Sequence, residues 1–214
     1  MGDAPVPVSA AGTVLYCGPN AGFYEGMALA PKGRTWVDFY NSQGYDVCLW
    51  NYRGFGLSSG VPTPASLQRD GQRVAQFLKD RNPARLIVHG ESMGGCIAAH
   101  VARYLPGVVD ALVCDRTFAS LDAVAERLMG AWAAFGVLWV AFWSTDVAGD
   151  FEQVKCPKVI LQDPNDAMIH QPCSLKAGLA LRQVFGDSNY APRSLPLGYE
   201  IAIAMQSELP LATS

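Results

Sequence analysis

Charge is scarce in this sequence, and the charge that is present shows no basic excess. Only 16% of the 214 residues are Asp, Glu, Lys or Arg, and the formal net charge is −3. Because proteins that bind nucleic acid present a basic surface, nucleic acid is not an expected partner. Half of the residues are apolar, and a chain of this length is long enough for one domain with a sizeable core.

The sequence also lacks the patterns that mark metal sites, disulfide frameworks and secretion. Its six cysteines form no CxxC pair, so we predict reduced thiols, with no disulfide framework and no zinc site. We expect no metal and no cofactor. Residues 1–11 contain no apolar stretch flanked by positive charge, and hence no visible secretory signal. We therefore expect an intracellular protein, either cytoplasmic or peripherally associated with a membrane.

Apolar runs alternate with helix-compatible segments along most of the chain. This alternation predicts right-handed βαβ units, a parallel sheet and the α/β fold class. We expect residues 1–12 to be a loose lead-in, 13–183 the folded core and 184–214 an irregular tail. The predicted strands are 13–17, 46–50, 86–89, 111–114 and 158–162, and the predicted helices are 64–80, 96–105 and 174–182, with a weakly helical stretch ending near residue 41.

An uncharged segment, residues 128–145, interrupts this pattern. Its large apolar side chains recur at spacings of four and three, which predicts a helix that is apolar all round and must be buried in protein or lipid. Three interpretations stay open: a lid or core helix, a lid resting on a lipid surface, and a transmembrane span at the short limit of length. The segment is also the expected wall of an acyl-chain pocket.

The predicted strand at 86–89 ends in Gly-Glu-Ser-Met-Gly, residues 90–94, and a predicted helix follows. A sharp turn between strand and helix can hold a serine hydroxyl clear of the sheet, which makes Ser92 the candidate nucleophile. The two glycines are expected where any Cβ would collide with a neighbouring element. The backbone N–H of Met93 could stabilise an oxyanion. The alternative is a glycine-rich turn whose serine only caps the helix.

Acyl transfer also needs an acid that orients a base. Asp166 is the predicted acid, because it lies in the turn after a later strand and would share a sheet edge with Ser92. The alternative for Asp166 is an Asx-turn residue. Asp115 follows another strand directly and is the reserve acid, whereas Asp163 is less well placed.

A second oxyanion donor is expected from the loop after the strand at 13–17. Pro19 has no N–H. The predicted donor is therefore the backbone N–H of Asn20, with Ala21 as an alternative, and an ordinary glycine turn is the competing interpretation.

The base is the difficulty, because the chain has only three histidines and none follows residue 170. His89 lies in a predicted strand and is expected to be buried. His100 lies two turns into the next helix and should point away from the site. His170 follows Asp166 at the correct edge and is the candidate base, although the usual base comes from a separate loop further on. If His170 is not the base, three interpretations stay open. The base lies outside this chain, the base is an unusual one, or the protein has no hydrolytic activity.

Several of these motifs together resemble the α/β-hydrolase superfamily. They are the runs at 90–95 and 51–58 (Asn-Tyr-Arg-Gly-Phe-Gly-Leu-Ser). Residues 17–25 (Cys-Gly-Pro-Asn-Ala-Gly-Phe-Tyr-Glu) and 114–118 are similar to segments of the membrane-associated, phosphatidylserine-lipase-like members, and Asp166 matches their acid. The resemblance implies a three-layer α/β-hydrolase fold with a mostly parallel sheet and an apolar helical lid insertion at about 116–150.

The resemblance also implies an activity: a serine hydrolase that cleaves acyl esters of lipids or small acyl esters. A catalytically inactive relative that binds a lipid or another partner is the alternative. The resemblance begins at the family's third strand and ends before its last strand and histidine, so we expect a chain truncated at both ends. Contact with a membrane surface through residues 128–145 is a further expectation.

Overall fold

The computed structural model describes residues 11–20, 22–29, 35–82, 84–120, 145–163, 166, 169 and 173–185. The strands in this part of the chain are β1 (Gly12–Cys17), β2 (Asp46–Leu49), β3 (Arg85–Glu91), β4 (Ala111–Asp115) and β5 (Lys158–Leu161). The helices are α1 (Tyr24–Leu29), α2 (Thr35–Ser42), α3 (Pro64–Arg81), α4 (Gly94–Tyr104), α5 (Val147–Gln153) and α6 (Leu175–Phe185).

The sheet is parallel at every described pairing, in the order β2-β1-β3-β4-β5. The chain places β2 on one side of β1 and then returns to place β3 on the other side. This reversal makes a topological switch point between the carboxyl ends of β1 and β3, and ligands of open α/β sheets bind at such points. The fold therefore marks the edge where β1 and β3 end as the place to look for a site.

The core lies between the sheet and helix α4. Leu86 and Val88 of β3 point to one face and are fully buried, while His89 points to the other face. Small residues line α4, including Ala98 and Ala99, which are also fully buried. Small side chains let the helix pack close to the sheet, so the position of the start of α4 is set by the strands beneath it.

The predicted α/β class and parallel sheet are confirmed, and the differences concern the short helices and the ends of elements. The weakly helical stretch is two short helices, α1 and α2. Helix α4 begins at Gly94, two residues earlier than predicted, directly after the turn. Helix α5 was not predicted. Its readable signal is Asp146, whose side chain accepts a hydrogen bond from the Gly149 N–H at the helix start.

Several predictions fall outside the described residues. These are most of the lid segment (121–144), the base candidate His170, the alternative donor Ala21, nearly all of the lead-in and nearly all of the tail. Among the helices that the structure does describe, none combines the length and the apolarity needed to cross a membrane. The lid and its contact with a lipid surface therefore stay predictions.

Candidate active site

The turn between β3 and α4 holds Ser92 in an unusual backbone conformation. Its φ angle is +52°, in the left-handed region that residues other than glycine rarely adopt. This conformation costs roughly 1–2 kcal/mol. The Ser92 N–H donates to the Asp115 carbonyl over 2.9 Å, and the Ser92 carbonyl accepts from the Gly95 N–H over 3.0 Å. Such strain persists only where the surroundings impose it, and it concentrates at functional sites.

Three glycines allow the turn to press against its neighbours. An added Cβ would lie 2.4 Å from the Gly94 carbonyl oxygen at Gly90, and 1.9 Å from the Cys17 carbonyl oxygen at Gly94. Both distances are far inside van der Waals contact, as the sequence interpretation expected for these two positions. Gly95 is a third such position, which the sequence did not reveal, because its Cβ would lie 2.0 Å from Thr117 Oγ1.

The two predicted oxyanion donors lie on either side of the switch point. Met93 is the residue before helix α4, and Asn20 lies in the loop that follows β1. The start of that loop touches the turn, since a Cβ at Gly94 would also lie 2.7 Å from the Gly18 carbonyl oxygen. Among the residues that the structure describes, neither the Met93 nor the Asn20 N–H donates to a main-chain carbonyl. Both amides therefore suit the role predicted for them.

Asp166 follows β5, at the same edge of the sheet as Ser92. Its Oδ1 accepts a hydrogen bond from the Ile169 N–H over 3.0 Å, and its own N–H donates to Asp163 over 3.2 Å. The bond to Ile169 is the turn interaction considered as the alternative role for this carboxylate. Strand β4 lies between β3 and β5, so strand spacing alone separates Ser92 from the Asp166 turn by about 10 Å. An imidazole hydrogen-bonded at both nitrogens spans a gap of that order.

The two histidines that the structure describes are engaged elsewhere. His100 Nδ1 lies 3.2 Å from Asp150 Oδ2 of helix α5. His89 is fully buried, and its Nδ1 lies 3.0 Å from the Tyr40 hydroxyl on helix α2. The expected burial of His89 is confirmed. Neither ring is placed as a base for Ser92, so the alternatives from the sequence stay open: His170, which lies outside the described residues, or a base outside this chain.

The environment of His89 fixes its protonation. Desolvation by burial, with a smaller contribution from the positive charge of Arg116, lowers its pKa to about 3. Burial also raises the pKa of Tyr40 to about 12, so the Tyr40 hydroxyl can donate to Nδ1. His89 Nε2 then carries the proton; it lies 4.0 Å from Asp115 Oδ2, beyond hydrogen-bond distance, and makes no hydrogen bond within the described part of the chain. His89 is therefore a neutral structural group at physiological pH.

This neutrality makes stability depend on pH. The unfolded chain takes up a proton near the ordinary value of 6.5, whereas folded His89 does so only near 3. Stability is therefore present above pH 6.5 and falls as the pH drops, by up to about 2 kcal/mol between pH 7 and pH 5. Urea unfolding at both pH values should show this loss in the wild type and a clearly smaller one in His89→Gln. Equal losses in the two proteins would contradict the assignment.

A cavity of about 670 Å³ opens at this edge of the sheet. Its lining includes Asp115 and Asp163, which the sequence analysis considered as acids because they lie at or just after the end of a strand. Tyr16, Trp36, Glu91 and Arg116 also line it, and the sequence analysis gave these four residues no role. In the part of the chain that the structure describes, no three His, Cys, Asp or Glu side chains are grouped as a metal site.

Comparison with known proteins gives the same assignment of fold. Bem46 of Schizosaccharomyces pombe is 26% identical over 167 residues, which cover 75% of this chain and 53% of that protein. The human phosphatidylserine lipase ABHD16A is 34% identical over 120 residues, covering 54% of this chain and 20% of the lipase. The esterase Pf2001 of Pyrococcus furiosus superposes with a TM-score of 0.67 at 19% identity, covering 81% of this chain and 69% of the esterase.

The chain spans about half the length of curated relatives such as Bem46. At 19% identity the esterase shows the fold alone. Residues 34–189 match the sequence family Hydrolase_4, described as serine aminopeptidase S33. This match covers well over half of the chain, and the resemblance read from the sequence motifs is confirmed. The chain belongs to this serine aminopeptidase S33 family of α/β-hydrolases.

Proposed function

We propose that this protein is a serine hydrolase that cleaves acyl esters of lipids or small acyl esters, with Ser92 as its nucleophile. Membership of the α/β-hydrolase family supports hydrolysis, and the name of the relative ABHD16A supports a lipid ester as the substrate class. The observation that carries the proposal is the left-handed conformation of Ser92. Its turn packs closely against neighbouring elements at three positions where only glycine fits.

The proposed reaction follows from this arrangement. Ser92 Oγ attacks the acyl carbonyl carbon, and its proton passes to a base that Asp166 orients. The Met93 and Asn20 N–H groups donate to the negative oxygen of the tetrahedral intermediate. That intermediate expels the alcohol, which takes the proton from the base, and leaves an acyl group on Ser92. Water then gives a proton to the same base and bonds to the acyl carbon, the bond from that carbon to Ser92 Oγ breaks, and Oγ takes the proton back from the base as the acid leaves. The base is a histidine outside this chain or, within the chain, the candidate His170.

The proposal is tested by covalent labelling with a fluorophosphonate. In this reaction a serine oxygen bonds to phosphorus, fluoride leaves, and the hydroxyl proton passes to solvent. We expect one adduct, mapped to Ser92 by mass spectrometry of the digested protein, and no adduct after heat denaturation. Even without a base the oxyanion donors leave residual reactivity, so slow labelling is expected as a minimum. Folded protein, verified by circular dichroism, that carries no adduct at Ser92 would contradict the proposal.

The alternative is a catalytically inactive protein that binds a lipid or another partner in the pocket that a hydrolase would use for its substrate. The observation favouring it is that neither described histidine, His89 or His100, is placed as a base for Ser92. Purified protein would then retain a lipid detectable by mass spectrometry, retain it equally in Ser92→Ala, and hydrolyse no acyl ester in either form. Hydrolysis by the wild type that Ser92→Ala abolishes would exclude this alternative.

A further inference from the structure

A second strained residue lies beside Ser92. Among the residues that the structure describes, only Ser92 and Arg116 are non-glycine residues with a positive φ, and the φ of Arg116 is +46°. They follow the paired ends of neighbouring strands, where Glu91 of β3 lies opposite Asp115 of β4. Two residues on neighbouring strands thus have the same strained conformation at the same level. The surrounding structure, and not only the sequence of each turn, must impose this conformation.

Main-chain hydrogen bonds join the strand ends in series. The Ser92 N–H donates to the Asp115 carbonyl over 2.9 Å, and the Arg116 N–H donates to the Leu161 carbonyl over 2.8 Å. The end of β3 is thus tied to the end of β4, and the end of β4 to the end of β5. Arg116 therefore stands between the candidate nucleophile on one strand and the strand that leads to Asp166.

The Arg116 side chain also joins the ends of β3 and β4. Its Nη2 lies 2.5 Å from Glu91 Oε1, and its Nε and Nη2 each lie 3.1 Å from a carboxylate oxygen of Asp115. Glu91 also accepts a hydrogen bond from the Tyr16 hydroxyl of β1, and Asp115 Oδ2 accepts from Trp36 Nε1 of α2 over 3.1 Å. We call this set of five side chains the strand-end brace.

The charges of the brace explain why the arginine matters. Glu91 and Asp115 are opposite each other on paired strands, and their side chains are 22% and 7% exposed. Two carboxylates this close and this shielded repel each other, which would push the ends of β3 and β4 apart. The planar guanidinium binds both at once, a geometry that the point charge of a lysine cannot reproduce.

We propose that Arg116 is a positioning residue for the nucleophile. It holds Glu91, the residue before Ser92, and Asp115, whose carbonyl binds the Ser92 N–H, and so fixes the direction of the Ser92 hydroxyl relative to the two oxyanion donors. This inference rests on the proposed function for its effect on reactivity, whereas its effect on the geometry of the turn does not depend on that function.

The test compares Arg116→Gln, Arg116→Lys and Glu91→Gln with a matched control, Arg103→Gln. Arg103 forms a similarly short ion pair, 2.6 Å from Asp150 Oδ1, but in the last turn of α4 away from Ser92. We expect Arg116→Gln to lower the maximal rate of fluorophosphonate labelling at saturating probe by about tenfold or more, because small misplacements of a reacting group have effects of this size. The probe concentration at half-saturation should change little, and Arg103→Gln should label at the wild-type rate.

The other variants separate the contributions. The labelling rate of Arg116→Lys should lie between those of the wild type and Arg116→Gln. Lysine keeps the positive charge but lacks the planar guanidinium that binds two carboxylates. Combining Glu91→Gln with Arg116→Gln should slow labelling by less than the product of the two single effects, because both act on one connection. If Arg116→Gln does not fold, Arg116→Lys and Glu91→Gln carry the same comparison.

A second measurement is independent of chemistry. Amide hydrogen exchange of a peptide spanning residues 90–95 should be about tenfold faster in Arg116→Gln than in the wild type, and unchanged in Arg103→Gln. Faster exchange with no labelling of the wild type would reject the proposed function and keep the positioning role. Labelling of the wild type with unchanged rate and exchange in Arg116→Gln would reject the positioning role alone. A lower melting temperature with wild-type labelling and exchange would also reject it.

Discussion

Ser92→Ala is expected to abolish fluorophosphonate labelling and acyl-ester hydrolysis while leaving the fold intact. The substitution removes the one atom that would form the covalent bond, so labelling should fall to background. Alanine meets the same backbone strain at φ +52° as serine does, so the free energy of unfolding should change by no more than about 0.5 kcal/mol. Adduct mapping and urea unfolding on the same preparations provide the two measurements.

Ser92→Gly extends this prediction to the strain itself. Glycine removes the left-handed penalty of roughly 1–2 kcal/mol, and the greater freedom of its unfolded chain offsets about 0.4–1 kcal/mol of that gain. The glycine variant should therefore be more stable than the wild type, by an amount between about 0 and 1.6 kcal/mol, although it cannot be labelled. A glycine variant less stable than the alanine variant would show that the conformation is not strained.

Gly94→Ala is expected to have the largest effect on the fold. The new methyl group would lie 1.9 Å from the Cys17 carbonyl oxygen, a main-chain atom of β1 that cannot turn aside as a side chain can. Helix α4 would have to move away from the sheet that its small residues contact. We expect a loss of about 3 kcal/mol or more, measured by chemical denaturation, together with loss of labelling at Ser92.

Gly26→Ala is the matched control, because it adds the same methyl group in a helix with room to receive it. Its Cβ would lie 3.4 Å from the ring of Phe23, a half-exposed side chain that can adjust. Alanine favours helix over glycine by about 1 kcal/mol at most, so this variant should match or slightly exceed the wild type in stability. If both variants unfold at the same denaturant concentration, the contact at Gly94 does not constrain the turn.

The parallel sheet was predictable because the strands and helices alternate with clear hydrophobic periods. The pentapeptide at residues 90–94 was predictable as a turn because each of its two glycines has a steric reason that holds in any fold of this class. Helix α5 was missed because a helix of seven residues hardly shows a period, and only its capping Asp146 marked it. Ends of the predicted elements shifted by one to three residues, because a hydrophobic period does not mark the terminal residue of an element.

The strand-end brace could not be predicted from the sequence, for a different reason. Tyr16, Glu91 and Arg116 are far apart in the chain and meet only through strand order and register, which a linear pattern does not carry. The positive φ of Arg116 was also unreadable, since arginine has no preference for that conformation. The roles of Asp166 and His170 stay predictions, because neither a position after a strand nor a spacing of four residues determines where a side chain points.

The contact between Gly94 and the Cys17 carbonyl has a consequence for protein engineering. Ser92 is carried by a junction of β1, β3 and α4, rather than by a surface loop that could be exchanged alone. Transplanting residues 90–94 into another scaffold would therefore require an adjacent strand ending at the same height. Engineering of the loops around the cavity should leave this junction untouched.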